Sequence, residues 1–192
     1  MNIRLIRDSF NLLKSLLFLP FLVLLWLIIL KSNHFKEDIN INSIESLKGQ
    51  GLFLNFCYLM VNNMYFRVLY LHRLKFVFNY FLKPFLFVPS NFIISPLCQI
   101  KGGLKILHPF STIINAKSIG PNCVIRNNTT LGNKFDNSIL KPEIGSNVNI
   151  GVGTIIIGDV IVGDNVIIGA GTVVTKSIKE NTIVVGPKNR FI

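Results

Sequence analysis

A six-residue repeat in the second half of the chain constrains the fold more than any other feature. Between residues 144 and 174, an apolar β-branched residue recurs every six positions without a miss: Ile144, Ile150, Ile156, Val162, Ile168 and Val174. The fourth residue after each of these is small or β-branched: Val148, Thr154, Val160, Val166, Thr172 and Ile178. A period of six fits neither a helix nor a simple amphipathic strand. It predicts a chain that turns a corner every six residues, so that three hexads form one triangular coil.

The repeat extends upstream with two irregularities. The same spacing is kept by Ile113, Ile119, Ile125 and Leu131, and an earlier block begins with Ile100 and Ile106, one residue out of register. Leu131 and Ile144 are thirteen positions apart, whereas two hexads would place them twelve positions apart. We therefore expect a loop that leaves the coil after Gly132. Such an excursion from a regular scaffold often carries function.

Composition changes near residue 100. Residues 1–99 are rich in Leu, Phe and Tyr, whereas residues 100–192 hold most of the glycines and are rich in Ile, Val, Asn and Thr. Half of the chain is apolar and only 15% is charged, which excludes intrinsic disorder. We predict a mainly β fold with an α-helical, hydrophobic N-terminal region. The expected parts are a hydrophobic segment (1–40), a helical region with a linker (41–99) and a repeat domain (100–192).

An uncharged run of sixteen residues, 15–30, lies near the start of the chain between Lys14 and Lys31. As a helix it would span about 24 Å, which is short for a bilayer core of about 30 Å. Three interpretations stay open: a helix lodged in one leaflet, a true span, or a core helix. We favour peripheral contact of residues 15–30 with the inner face of a bacterial plasma membrane, and therefore a cytoplasmic location.

The net charge and the cysteine content limit the classes of binding partner and the state of the thiols. The net charge of +11 suits an anionic membrane face or an anionic substrate. The basic residues form no run of five, so nucleic acid is not an expected partner. The three cysteines are far apart and odd in number, which indicates free thiols.

In residues 41–88, apolar residues at helical spacing predict a short and a long helix, divided near Gly49 and Gly51.

A resemblance to a known family comes from the segments GLKILHPFSTIINAKSIGPNCVIRNNTTLGN and KPEIGSNVNIGVGTIIIGDVIVGDNVIIGAGTVV. The region 94–192 resembles the hexapeptide-repeat acyltransferases, and within them the serine acetyltransferase branch with its members from polysaccharide gene clusters. The resemblance implies a left-handed parallel β-helix and a homotrimer. It also implies acetyl-CoA as the acyl donor, bound between neighbouring subunits, and no metal.

The same resemblance points to the residues of a site. His108, in LKILHPF, matches the family's catalytic histidine, and acetyl transfer to a hydroxyl needs a base for the hydroxyl proton. The cofactor groove is expected to involve Gly132, Asn133, Val152, Gly153 and Ala170. Lys176 and Arg190 are the expected partners of the CoA phosphates.

Departures from the family pattern affect the acceptor. Leu107 and Ile93 stand where serine acetyltransferases carry Asp, and Leu140 and Lys141 stand where they carry an Arg-His pair. Lys141 remains a candidate for substrate binding. We therefore favour an O-acetyltransferase that acts on a hydroxyl of a cell-envelope or capsular sugar, with His108 as general base. Two alternatives stay open: a serine O-acetyltransferase of cysteine biosynthesis, and a non-catalytic hexapeptide-repeat scaffold.

Overall fold

The computed structural model of the chain describes residues 18–74, 81–135 and 139–186. The chain divides into two compact units, Met1–Pro89 and Ser90–Ile192. The first β-strand begins at Phe92, so the compositional boundary near residue 100 lies inside the first coil of the β unit.

The first unit is helical. Its helices are α1 (Leu19–Ile29), α2 (Asn33–Asn42), α3 (Leu52–Asn62) and α4 (Met64–Arg73), with short 3-10 turns at Glu45–Leu47 and Lys83–Phe85. Gly49 and Gly51 have positive φ values of 83° and 93°, which confirms the predicted break before α3. The prediction of one long helix after that break is wrong. Asn63 ends α3, and its side chain caps α4 by accepting from the backbone N–H groups of Tyr65 and Phe66.

An aromatic cluster forms the core of the helical unit. The Phe35 ring lies 5.5 Å from the rings of Phe66 and Tyr70, and the Tyr70 hydroxyl donates to the Leu25 carbonyl over 2.9 Å. Beside the cluster, the buried Arg73 Nε donates to the Asp38 carboxylate over 2.8 Å. This pairing compensates a charge that would be costly to bury alone.

Helix α1 is apolar on all sides. Leu22, Leu25 and Ile29 are buried, but the other side of the helix is exposed and equally apolar. Pro20 lies in the first turn, where a missing N–H costs nothing, so it does not interrupt the helix. Within residues 18–74, 81–135 and 139–186, no helix has the length and hydropathy needed to cross a membrane.

The second unit consists of short strands in three parallel sheets. Sheet A contains β1 (Phe92–Ile94), β4 (Thr112–Ile114), β7 (Thr130–Gly132), β10 (Ile155–Ile157) and β13 (Val173–Val174). Sheet B contains β2 (Gln99–Ile100), β5 (Ser118–Ile119), β8 (Glu143–Ile144) and β11 (Ile161–Val162). Sheet C contains β3 (Lys105–Leu107), β6 (Val124–Arg126), β9 (Asn149–Ile150), β12 (Ile167–Ile168) and β14 (Ile183–Val184).

The chain visits sheets A, B and C in turn, so each set of three strands is one triangular coil. A single parallel bridge between Val162 and Ile178 completes the side of the last coil that belongs to sheet B. All strand pairs are parallel, as between Ile155 and Val173 in sheet A. The predicted three-sided parallel solenoid is therefore confirmed.

The predicted six-residue positions fill the interior. The six residues of the repeat that begins at Ile144 and ends at Val174 are each at most 4% exposed. Of the β-branched residues four positions later, the first five, which begin at Val148 and end at Thr172, are also buried. The prediction is wrong at Ile113, which is 44% exposed, whereas Ile114 is fully buried. Sequence spacing alone could not reveal this slip, because the connection from the first to the second coil is irregular and both residues are isoleucine.

The excursion after Gly132 is confirmed, but the predicted count of hexads across it is wrong. Leu131 and Ile144 occupy adjacent sides of one coil. Ser118 pairs with Glu143, 25 positions later, whereas Glu143 pairs with Ile161, 18 positions later. The difference, 25 − 18, means that seven extra residues leave the coil at a single corner.

Asparagine and glycine form several of the corners. Five asparagines have φ between 55° and 59°, a left-handed conformation that asparagine tolerates: Asn122, Asn128, Asn147, Asn165 and Asn181. At one corner, the Asn147 side-chain amide donates to Asn165, which donates to Asn181, each over 3.0 Å. Stacked amides thus join successive coils.

Two glycines at equivalent corners provide a test of coil stacking. A Cβ at Gly151 would lie 2.6 Å from the backbone nitrogen of Ala170 in the next coil, whereas a Cβ at Gly169 would meet nothing closer than 3.4 Å. Gly151→Ala should lower the free energy of unfolding by about 1–3 kcal/mol because it separates two coils. Gly169→Ala should change it little. Thermal unfolding followed by circular dichroism measures both, and equal melting temperatures would contradict this account.

Candidate active site

His108 lies at the corner where the chain passes from β3 to β4, that is, from sheet C to sheet A. Its side chain is exposed, and its φ of 50° is in the left-handed region. Its carbonyl accepts a hydrogen bond of 2.8 Å from the Phe110 N–H, and the following Pro109 is buried. The strained conformation of a histidine at an exposed corner is the kind of local cost that functional sites tolerate.

The corners above His108 stack into a continuous edge. The Asn128 N–H donates to the Phe110 carbonyl (3.1 Å), the Gly153 N–H to Asn127 (3.0 Å) and the Gly171 N–H to Val152 (2.8 Å). We call this column of corners the C–A edge. It contains His108, Val152, Gly153 and Ala170, four of the predicted site residues, in register along the solenoid.

Four other predicted residues lie elsewhere. Gly132, Asn133, Lys141 and Lys176 are at the corners between sheets A and B, which we call the A–B edge. Gly132 is buried at the end of β7, whereas Lys176 is exposed. Arg190 lies outside the described residues. Within one chain, the predicted site residues therefore form two separate groups, one at the C–A edge and one at the A–B edge, with the outer face of sheet A between them.

The outer face of sheet A carries an apolar row between the two edges. Ile93 pairs with Ile113, Ile113 with Thr130, Thr130 with Ile155, and Ile155 with Val173, so their outward side chains are aligned. All the apolar members of this row are exposed. An aligned row of exposed β-branched side chains is a surface suited to contact with another protein surface.

The excursion at the A–B edge also exposes apolar groups. Phe135 and Ile139 are exposed, and the Lys134 ammonium lies 5.4 Å from the centre of the Phe135 ring. The Asn133 side-chain amide donates to the Phe135 carbonyl, and the Lys141 N–H donates to the Ile139 carbonyl. Asn133 and Lys141 therefore belong to the base of the excursion and shape it.

The immediate surroundings of His108 lack an acidic partner. Among the described residues, no carboxylate forms a hydrogen bond with the imidazole. Leu107, where the family pattern has Asp, is half-buried on the outer face of sheet C. Its cross-strand neighbour is Arg126, a residue that the sequence analysis did not select. The sequence did contain a signal for Arg126: side chains alternate along a strand, so the residue after the inward-facing Ile125 faces outward near the corner.

The cysteines offer no alternative nucleophile. Cys57, Cys98 and Cys123 are buried, and within the described residues they form no disulfide. Burial raises the pKa of Cys57 and of Cys123 to about 11, so their reactive thiolate forms are scarce near neutral pH. Among the described residues of the C–A edge, His108 is the group suited to proton transfer.

Comparison with known proteins supports the predicted resemblance. Residues 141–176 match the bacterial transferase hexapeptide family (six repeats). WcaB of Escherichia coli K12, described as a colanic acid biosynthesis acetyltransferase, is 42% identical over 86 residues, or 44% of this chain. The mitochondrial serine acetyltransferase 3 of Arabidopsis thaliana is 38% identical over 99 residues, or 50% of this chain. The matches span 53% of the bacterial relative and 25% of the plant relative.

Solved structures show the same fold. The serine acetyltransferase of Neisseria gonorrhoeae in complex with serine superposes on this chain with a TM-score of 0.65 at 21% identity. The superposition includes 83% of this chain and 70% of the Neisseria chain. Isoform 3 from Entamoeba histolytica, in complex with cysteine, has a TM-score of 0.64 at 22% identity, covering 83% and 59%. The predicted left-handed parallel β-helix and the resemblance to hexapeptide-repeat acyltransferases are confirmed.

Because His108 has a left-handed backbone conformation at an exposed corner, we expect that its side chain does not contribute to the free energy of unfolding. Asn128 lies at the same corner of the next coil with φ of 57°, where the strand register places it opposite Ser111, three residues after His108. His108→Asn should keep or raise the free energy of unfolding, by at most about 1 kcal/mol, because asparagine adopts this conformation more readily. The reciprocal Asn128→His should lower it slightly. Thermal unfolding tests both variants, and a large loss of stability in His108→Asn would assign the imidazole a structural role.

Proposed function

We propose that this protein is an acetyl-CoA-dependent O-acetyltransferase in which His108 acts as general base toward an acceptor hydroxyl. The observation that carries the proposal is the C–A edge. There, an exposed histidine stands in line with Val152, Gly153 and Ala170, the residues expected at the acyl donor.

The proposed chemistry assigns one proton-transfer role to the chain. Acetyl-CoA supplies an acetyl group on a thioester. As the acceptor oxygen bonds to the acetyl carbon, the His108 imidazole takes the hydroxyl proton, and it returns that proton to the departing CoA sulfur. Imidazole suits this exchange because it both accepts and releases protons near neutral pH. A backbone carbonyl near the corner could orient the ring in place of a carboxylate.

A second copy of the chain would join the two edges. Gly132, Asn133, Lys141 and Lys176 are on the A–B edge and are separated from His108 by sheet A. If the C–A edge of one copy faces the A–B edge of its neighbour, each groove receives both groups of residues. The exposed apolar row of sheet A supplies a surface for that packing. We therefore propose a homotrimer with three equivalent grooves.

A hydroxyl of a cell-envelope or capsular sugar is the acceptor that we favour. Leu107 and Leu140 stand where serine acetyltransferases carry charged residues, and Ile93 stands where they carry the Asp that partners the histidine, which weakens the case for serine. The relative WcaB, described as an enzyme of colanic acid biosynthesis, agrees with a sugar. The serine acetyltransferase relatives keep serine as the second candidate.

Release of CoA from acetyl-CoA tests the proposed activity. Purified protein is assayed with L-serine and with a panel of sugars. His108→Ala should lower the turnover number by about 10²–10⁴-fold because the hydroxyl loses its base. His34→Ala is the matched control, since His34 is an exposed histidine of α2 in the helical unit, and it should leave turnover unchanged.

Each outcome of this assay separates the candidates. Turnover with sugars alone supports the envelope sugar, and turnover with serine that His108→Ala abolishes assigns the cysteine pathway instead. Turnover that persists in His108→Ala overturns the role of the histidine. If no acceptor releases CoA and equilibrium dialysis detects no bound acetyl-CoA, the protein is a scaffold.

We also propose that the helical unit contacts an anionic membrane surface. The unburied side of α1 exposes Leu24 and Leu27, and the exposed Lys31 follows that helix directly. In residues 81–87, the exposed Lys83 lies among the exposed rings of Phe81, Phe85 and Phe87. Apolar groups next to cations are typical of segments that insert shallowly into anionic lipid. Such contact would hold the protein at the inner face of the plasma membrane.

Cosedimentation with vesicles measures the membrane contact. The protein should bind vesicles that contain phosphatidylglycerol more strongly than vesicles of phosphatidylcholine alone. Leu24→Ser with Leu27→Ser should reduce the bound fraction severalfold because the inserted apolar area is lost. The control changes two exposed apolar residues of the β unit, Leu97→Ser with Ile161→Ser. Equal loss in both double variants, or no binding by the unaltered protein, would refute the proposal.

A further inference from the structure

We infer that the outer face of sheet C binds an anionic group of the acceptor, a carboxylate or a phosphate, through Arg126. This inference rests on the proposed acetyltransferase function and narrows its substrate class. Arg126 lies directly across from Leu107, the residue before His108. Neighbouring strands are about 4.8 Å apart, so the base of the Arg126 side chain is within one strand spacing of the His108 corner.

The hydrogen bonds of Arg126 leave most of its binding capacity unused. Its Nη1 donates to the Asn149 side-chain oxygen and to the Ile150 carbonyl (3.2 Å). Both acceptors are neutral, and a guanidinium has five N–H donors. In the part of the chain that the structure describes, Arg126 forms no ion pair, although it is half-buried.

Two cations of the described chain provide a contrast, because each is paired with a carboxylate. The buried Arg73 binds Asp38 over 2.8 Å, and the Lys117 ammonium on sheet B lies 2.6 Å from Glu143. Arg126 differs from these two because a neutral amide holds it in place and leaves its charge uncompensated. Arg67 is also held by neutral groups, but it donates to backbone carbonyls through Nε, Nη1 and Nη2, whereas Arg126 donates through Nη1 alone. A guanidinium held in this way is prepared for a planar carboxylate or for a phosphate, which it can bind through two parallel hydrogen bonds.

The rest of sheet C favours an anion as well. Within its described strands, Lys105 and Arg126 are the charged residues, and no acidic residue is present. Lys105 is on the same face, paired with Val124 and therefore close to Arg126. An anionic group on this face would meet two cations near His108 and no repelling strand carboxylate.

The direction of the Arg126 side chain sets the distance to the reacting hydroxyl. It reaches toward β9, the strand on the far side from His108, so its free donors lie roughly 5–10 Å along the solenoid from the histidine corner. In serine, the hydroxyl and carboxylate are nearly adjacent and would not span this separation. In a uronic acid or a sugar phosphate, the anionic group and a distant ring hydroxyl do span it. The arrangement therefore favours an acidic sugar.

Kinetics with matched acceptors tests the inference. The full-length protein is assayed with methyl glucuronide, a glucose phosphate and the neutral methyl glucoside. Arg126→Gln should raise the KM for the acidic acceptor about ten- to a hundredfold, because charge-assisted hydrogen bonds are lost. The KM for acetyl-CoA and the kcat should change little, and Arg126→Lys should restore part of the loss. Lys179→Gln, an exposed cation at another corner, is the control.

The remaining outcomes overturn the inference or separate it from the proposed activity. Equal losses with acidic and neutral acceptors would make Arg126 a structural residue that fixes Asn149. A raised KM for acetyl-CoA alone would assign Arg126 to the donor. If the unaltered protein acetylates neutral sugars or serine without preferring acidic acceptors, the inference fails and the activity stands. If no acceptor is acetylated, calorimetric binding of methyl glucuronide that Arg126→Gln abolishes still supports the anion site.

Discussion

The close parallel stacking of coils on one another is the constraint on which the β unit depends. Each coil donates backbone hydrogen bonds to the next, as from Gly145 to Val162 and from Gly163 to Ile178, over 2.8 and 2.9 Å. This contact leaves no room for a Cβ at either glycine. Since every coil must match the perimeter of its neighbours, inward positions accept only side chains of similar size, such as Ile150 and Ile168.

Stacking also determines where function can be placed. Because equivalent corners align, a substitution or insertion at one corner lies beside the corresponding corners of the neighbouring coils and becomes part of one continuous edge. A seven-residue excursion enters the A–B edge while Leu131 and Ile144 on either side remain buried. His108 occupies the C–A edge in a left-handed conformation, which Asn128, Gly153 and Gly171 adopt at the same edge in the coils above. The core stays regular, and the edges vary at little cost to stability.

Charge is organised differently in different parts of the molecule. Asp38 and Arg73 compensate each other inside the helical unit, and Lys117 and Glu143 do so on sheet B. Arg126 is oriented instead by the neutral side chain of Asn149. A cation with this support keeps its attraction for a ligand, so the proposal of an acidic acceptor rests on the face beside His108 rather than on the overall charge of +11.

The sequence by itself determined the solenoid, because a strict six-residue period admits few other structures, and the six residues at that period, beginning with Ile144 and ending with Val174, lie inside it. It also determined that His108 was the histidine to examine, through the resemblance of its surroundings. Only the tertiary structure decided that Ile114 rather than Ile113 faces inward, because neighbouring isoleucines are equivalent until an irregular coil fixes their register. It alone divided the predicted site residues between two edges and brought Arg126 beside Leu107, because strand pairing joins residues 19 positions apart.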